Sequence, residues 1–329
     1  MIEAAALGEV DGLPVRQFTL TNGALTLKAM SYGAVVTELH VPDRQGRAGD
    51  VVLGYRNLAA YVAGTAYFGC VAGRCANRIA RGRFAIDGRP FQLAINNGPH
   101  HLHGGVRGFD RRVWDAEADG RRVRFTRTSP DGEEGYPGTV RASVEYALTD
   151  ADEFRVEMTA TTDAPTLVNL AHHTYWNLAG RGTILDHRLT IEADAYVPVD
   201  GTLIPTGELA PVAGTPFDFR RPKRVGDDLA KVPGGYDHNF ALRGVARLED
   251  PASGRVLEIR TSEPGIQFYT GNFLDGTATG KDGAPIVKHA GLCLETQKFP
   301  DAVNRPDWAS PILRPGETYR HVMVHRFSH

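Results

Sequence analysis

The sequence predicts an all-β protein, one large antiparallel β-sandwich, and three observations carry that expectation. Short segments alternate apolar and polar residues, as in Val123-Arg124-Phe125-Thr126, Phe154-Arg155-Val156-Glu157-Met158-Thr159, Leu189-Thr190-Ile191-Glu192 and Leu257-Glu258-Ile259-Arg260. Such runs bury one face and wet the other, as half-exposed antiparallel strands do. Turn pairs punctuate them: Asn22-Gly23, Asp87-Gly88, Asp119-Gly120, Asp200-Gly201, Ser253-Gly254 and Pro315-Gly316. Long helical periodicity is missing, and Asn57 to Ala63 and Asp227 to Lys231 each leave room for a short helix at most.

The clearest hairpin places Arg83-Phe84-Ala85-Ile86 against Pro90-Phe91-Gln92-Leu93 around Asp87-Gly88, because Asp-Gly takes positive φ at low cost. The 37 glycines and 20 prolines are spread evenly, with no linker, low-complexity stretch or fixed-period repeat. Residues 1–329 are therefore expected to form a single domain, a length that a large β-sandwich can reach. Hydrophobic residues at 42% and charged residues at 23% are ordinary for a globular protein with a sizeable core.

A formal net charge of −2 offers no basic field for nucleic acid or an anionic membrane. It suits a small neutral ligand better than a polyanion. Cys70, Cys75 and Cys293 make an odd count with no Cys-x-x-Cys pair, which favours a reducing compartment over a disulfide framework. The start, Met1-Ile2-Glu3-Ala4, carries an acid and no basic n-region, so it does not read as a signal peptide. No apolar run approaches the roughly 18–20 residues of a membrane span. A cytoplasmic protein is expected.

Four islands concentrate polar residues beside small or aromatic ones. Gly73-Arg74-Cys75-Ala76-Asn77-Arg78-Ile79 reads as a loop. It lacks the Gly-x-x-x-x-Gly-Lys-Ser/Thr order of a phosphate cradle, and its two arginines fit surface ion pairs on composition alone. His100-His101-Leu102-His103-Gly104-Gly105 contains a His-x-His. On a strand that spacing puts both rings on one side, where they can hold a metal. No carboxylate stands nearby to complete a site, so a histidine lining a polar pocket is preferred, with His100 and His101 as solvated loop residues.

In Asn169-Leu170-Ala171-His172-His173-Thr174-Tyr175-Trp176-Asn177-Leu178 two histidines adjoin. Strand neighbours point to opposite faces, so only one of them can face a given pocket. Tyr175 shares the face of His173, and Thr174 that of His172; the residues alone leave open which face that is. In Gly291-Leu292-Cys293-Leu294-Glu295-Thr296-Gln297 an acid lies inside an apolar run. A carboxylate buried there must find partners or neutralise, which suits a catalytic group or a structural ion pair equally. Tyr236-Asp237-His238-Asn239 and Gly265-Ile266-Gln267-Phe268-Tyr269 place further polar groups among aromatics. Such a mixture suits a sugar, with its apolar C–H face and its hydroxyls.

In this order the islands resemble the aldose 1-epimerase (galactose mutarotase) family. The likeness also takes in Pro264 to Phe273, Pro300-Asp301-Ala302 and Leu313-Arg314-Pro315-Gly316-Glu317, nearly the whole chain. The resemblance implies a galactose mutarotase-like β-supersandwich with an open sugar cleft and neither metal nor organic cofactor. It implies His173 as general acid and Glu295 as general base, which settles the choice between the two histidines. Asn77, Arg78, His103, Asp237 and Gln267 would hold the sugar, with Tyr175 beside the acid. His172 departs from the family pattern, where asparagine is common, and in the cleft it would alter the acid's pKa. The expected partner is a small aldose, the expected assembly a monomer or weak homodimer.

Mutarotation removes a proton from the C1 hydroxyl and delivers one to the ring oxygen. With ordinary pKa values of about 4.3 and about 6.5, Glu295 would be a ready base, and His173 would need a carboxylate such as Asp237 to favour its protonated form. Arg78 and His103 would ease charge building on the sugar oxygens. The rival readings are a hexose-6-phosphate 1-epimerase, a silent carbohydrate-binding module and a metal-dependent enzyme built on the histidines.

Overall fold

The computed structural model describes residues 2–329. Two antiparallel sheets face one another. The smaller has five strands in chain order: Ile2–Val10, Leu13–Thr21, Thr26–Met30, Val35–Pro42 and Ala48–Asp50. The larger has thirteen. Its path runs from Asp115–Asp119 through Arg122–Ser129, Val140–Leu148, Glu153–Thr162, Tyr319–Ser328, Val256–Thr261 and Asp237–Glu249 to Gly265–Tyr269, Leu292–Gln297 and Tyr175–Trp176. Arg188–Val197 pairs beside this path with Asp237–Glu249.

The alternating runs become strands for the reason anticipated. Val123 and Phe125 point inward between exposed neighbours, and Phe154, Val156 and Met158 point inward between half-buried ones two strands further on. They meet Phe18, Leu20 and Leu27 of the smaller sheet in one shared core. Each such side chain contributes roughly 1.5–3 kcal/mol on burial. The hairpin forms with Arg83 opposite Gln92 and Ile86 opposite Arg89, turning at Asp87 and Gly88 with φ of 51° and 78°. Helix is confined to short pieces, Leu58–Ala63 and the 3-10 turn Leu229–Lys231 among them. The Asn57 side chain caps the former by accepting from the Ala60 N–H at 3.0 Å.

Two neighbouring strands break the half-exposed rule. Gly265–Tyr269 and Leu292–Gln297 are buried at every position. Ile266, Phe268, Leu292 and Leu294 enter the core, and the opposite face carries Gln267, Tyr269, Cys293 and Glu295, with Gln267 directly across from Glu295. This polar face is covered by loops instead of water. The cover comes from two close-packed loops, one running from Gly73 to Arg78 and one holding His103 and Gly104. Gly104 has φ +91°, and a β-carbon there would collide with the Gly73 carbonyl oxygen.

Gly104→Ala is accordingly expected to destabilise the protein by roughly 2–4 kcal/mol in chemical denaturation. Gly88→Ala, at φ +78° with nothing within 4 Å of the added carbon, costs only about 1 kcal/mol. Equal losses at the two positions would show that the loop crossing is not a tight constraint.

Candidate active site

The buried polar face and the loops enclose a cavity of about 380 Å³, within the ~300–1,000 Å³ usual for small-molecule sites. Asn77, Arg78, His103, His173, Tyr175, Asp237 and Glu295 all line it. Two larger hollows of about 550 and 640 Å³ flank it, but neither contains a histidine–carboxylate pair, so chemistry marks the site where size does not.

His173 and Glu295 face each other, Nε2 to Oε1, at 3.6 Å, and both are almost wholly buried. Burial pushes the Glu295 carboxyl well above the carboxylate range, and the negative charge of Asp237 pushes it further, with Arg78 acting against both. Burial pulls His173 down to about 4. The same desolvation disfavours both charged forms, so burial favours the pair with both groups neutral and the proton on Glu295. Any hydrogen-bond donor brought to Glu295 shifts that proton toward the imidazole.

His103 lies beside them, its ring 5.0 Å from that of His173. Its Nδ1 accepts from the Asn77 N–H at 3.2 Å. A backbone N–H can only donate, so Nδ1 is the lone-pair nitrogen and the neutral ring carries its hydrogen on Nε2. His103 is thereby a donor aimed into the cavity. Arg78 is anchored through Nε to Asn97 Oδ1 at 3.1 Å and lies 3.7 Å from Asp237 Oδ2. Gln267 does not reach the cavity wall. It sits behind Asp237, donating from Nε2 to Oδ1 at 2.7 Å, and so orients that carboxylate. Gln267 Oε1 and Glu295 Oε2 have no partner among the described residues.

Several expectations are corrected here. Arg74 and Arg78 are not surface ion pairs: Arg74 is buried and donates to Ser129 Oγ and to the carbonyls of Ser129, Pro130, Pro137 and Gly138. His100 and His101 are buried, not solvated. His101 is bonded at both nitrogens, to the Ala94 carbonyl at 2.7 Å and the Tyr136 hydroxyl at 2.6 Å, which leaves it no lone pair for a metal. The strand ends at Leu102, and His103 takes φ +49°, so the His-x-His rings part company. The carboxylate beside His173 is Glu295, while Asp237 is occupied by Arg78 and Gln267. His172 turns from the cavity into the core, against Tyr146, Phe154 and His325, with Thr174 Oγ1 at 3.2 Å from its Nδ1.

Residue patterns missed Tyr67, Asn97, Leu203 and Phe273, which also line the cavity. Tyr67 holds φ +59° and sets its ring 4.8 Å from His103 and 5.6 Å from His173. Phe273 stands at the mouth, 68% exposed. The turn pair Asn97-Gly98 was a usable signal for one of these, and Tyr67 had none.

A family model described as Aldose 1-epimerase matches residues 16–326. The chain belongs to the aldose 1-epimerase family. Galactose mutarotase from Homo sapiens is 51% identical over 99% of this chain and 98% of its own length, and aldose 1-epimerase from Escherichia coli K12 is 38% identical over 96% of each. The solved galactose 1-epimerase of Lactobacillus acidophilus superposes with a TM-score of 0.90 at 30% identity, covering 100% of this chain and 98% of that one. The chain's chemistry is therefore the exchange of α and β anomers at C1 of an aldose. No helix among the described residues is long and apolar enough to cross a membrane.

Because the Asp237 charge raises Glu295, Asp237→Asn is expected to lower the Glu295 pKa, so that the pair gives up its shared proton at lower pH. The alkaline limb of kcat/KM, where the free enzyme loses that proton, should move down in pH while sugar affinity weakens. A limb that stays fixed or moves up would contradict the coupling.

Proposed function

We propose that this chain interconverts the anomers of free aldohexoses, galactose and glucose among them, with His173 as general acid and Glu295 as general base. The observation that carries the reading is the 3.6 Å His173–Glu295 pair inside a sugar-sized cavity. As the sugar enters, its C1 hydroxyl donates to Glu295. That favours the carboxylate and moves the shared proton to His173. Glu295 then takes the C1 hydroxyl proton, and His173 Nε2 delivers its own to the ring oxygen. The C1–O5 bond opens to the free aldehyde. Rotation about C1–C2 turns the other carbonyl face to the C5 hydroxyl, and reclosure runs the two proton transfers backwards. The proton count of the pair is the same before and after, so no co-reactant is needed.

Asn77, Arg78, His103 and Asp237 hold the hydroxyls, and the Nε2–H of His103 and the Arg78 guanidinium stabilise negative charge on sugar oxygens as it develops. Gln267 acts by orienting Asp237. Tyr175 supports the acid, with ring centroids 5.2 Å apart. The exposed Phe273 ring offers a surface for the C–H face of the sugar.

An unphosphorylated substrate is favoured because Arg78 is the only cation lining the cavity among the described residues, and Asp237 and Asn97 already engage it. A silent binding module has no use for a proton-sharing pair. A cytoplasmic setting fits three cysteines that are all buried free thiols.

Polarimetry of freshly dissolved α-D-galactose and α-D-glucose tests the reading. Accelerated approach to an unchanged final rotation is expected, and Glu295→Gln should lower kcat by about 10²–10⁴-fold with KM little altered. Unchanged turnover in that variant would remove Glu295 from the reaction.

A further inference from the structure

The mechanism uses one nitrogen of His173, and the structure also places a group on the other. We propose that Cys293 is a positioning residue for the epimerisation, its thiol sulfur holding the far side of the imidazole so that Nδ1 keeps its hydrogen and Nε2 alone gives and takes the proton. The inference rests on the assignment of His173 as general acid made above.

Cys293 and Glu295 are two residues apart on Leu292–Gln297 and project from the same face. Between them they bracket one ring. Glu295 Oε1 lies 3.6 Å from Nε2, and Cys293 Sγ lies 3.7 Å from Nδ1. Cys293 is fully buried, does not line the cavity, and packs with Phe68, Cys70, Tyr175 and Tyr269. It therefore touches the acid without touching the sugar.

The chemistry requires hydrogen on Nδ1. A general acid that donates from Nε2 must be an imidazolium, and once it has donated it is the neutral Nδ1–H form. To act as base on reclosure it needs a lone pair on Nε2, which is the same form. A partner that donated to Nδ1 would impose the opposite tautomer and leave Nε2 with a hydrogen it cannot release. A thiol sulfur can accept, weakly, and burial keeps Cys293 protonated by pushing its pKa well above the usual thiol range.

The weakness of sulfur as a partner is itself useful. A carboxylate at this position, the usual support of a catalytic histidine, would set two acids on one strand face beside Asp237 and raise Glu295 further. A neutral thiol orients the ring and adds no charge. The imidazolium stays a strong acid, ready to protonate a poorly basic ring oxygen.

The test is the nitrogen-15 spectrum of the intact protein labelled at histidine, near neutral pH, with His173 assigned by its loss in His173→Asn. The Nδ1–H tautomer should predominate in the unaltered chain, and a predominant Nε2–H form would overturn the proposal. In Cys293→Ala, kcat should fall about tenfold with KM unchanged and the second tautomer appearing. Cys293→Ser, which keeps an acceptor, should retain the Nδ1–H form and most of the turnover. Wild-type kcat together with a wild-type spectrum in Cys293→Ala would also overturn it. Should the variants not fold, the spectrum of the unaltered protein decides alone. Retained turnover in His173→Asn would instead count against the acid assignment, and so separates the two claims.

Discussion

A carboxylate on a strand that is buried on both faces must either lose its charge or be surrounded by groups that tolerate it. Glu295 is in that position, and much of the local architecture answers to it. The strand is central, so its inner face belongs to the core through Leu292 and Leu294. Its outer face can stay polar only because Gln267, Asp237, Arg78 and His173 arrive from other parts of the chain to meet it. Desolvation raises the acid and depresses the imidazole at once, the condition on which the proposed passage of one proton between two groups 3.6 Å apart depends. In water the same pair would separate into ions and hold the proton too firmly on the histidine.

The site draws on distant segments for this. Glu295, Gln267 and Asp237 come from three adjacent strands of the thirteen-stranded sheet, which set their spacing rigidly. Asn77 and His103 come from loops that cross at Gly73 and Gly104, Arg78 opens the short strand Arg78–Ile79 paired with His101–Leu102, and His173 comes from the short segment before Tyr175–Trp176. Loop residues in left-handed conformation, Tyr67, Asn77 and His103, accept backbone strain to present their side chains. Such strain persists only where the surrounding packing over-determines it, and the covered sheet face supplies that packing.

The strands were legible because burial alternates with a period of two wherever one face is wet, and the Asp87-Gly88 hairpin was legible because its turn residues have few alternatives. Glu295 stood out as an acid in an apolar run, and the opposite facing of His172 and His173 followed from strand geometry. Which of the two faces the cavity did not follow, since that depends on what packs behind Phe154 and His325. The His-x-His pair misled for a similar reason: alternation holds only inside a strand, and His103 lies just past the end of one. Arg74, buried among carbonyls, and Tyr67, delivered by a loop with no local signature, depend on contacts from far along the chain that no short window contains.

The central claim is that His173 and Glu295 act as one proton-sharing unit. A double-mutant cycle with His173→Asn and Glu295→Gln measures that directly, because groups that act as a unit are strongly non-additive. The account predicts that the double variant turns over no more slowly than the poorer single variant. Losses that simply multiply would mean that the two residues act independently, and would contradict it.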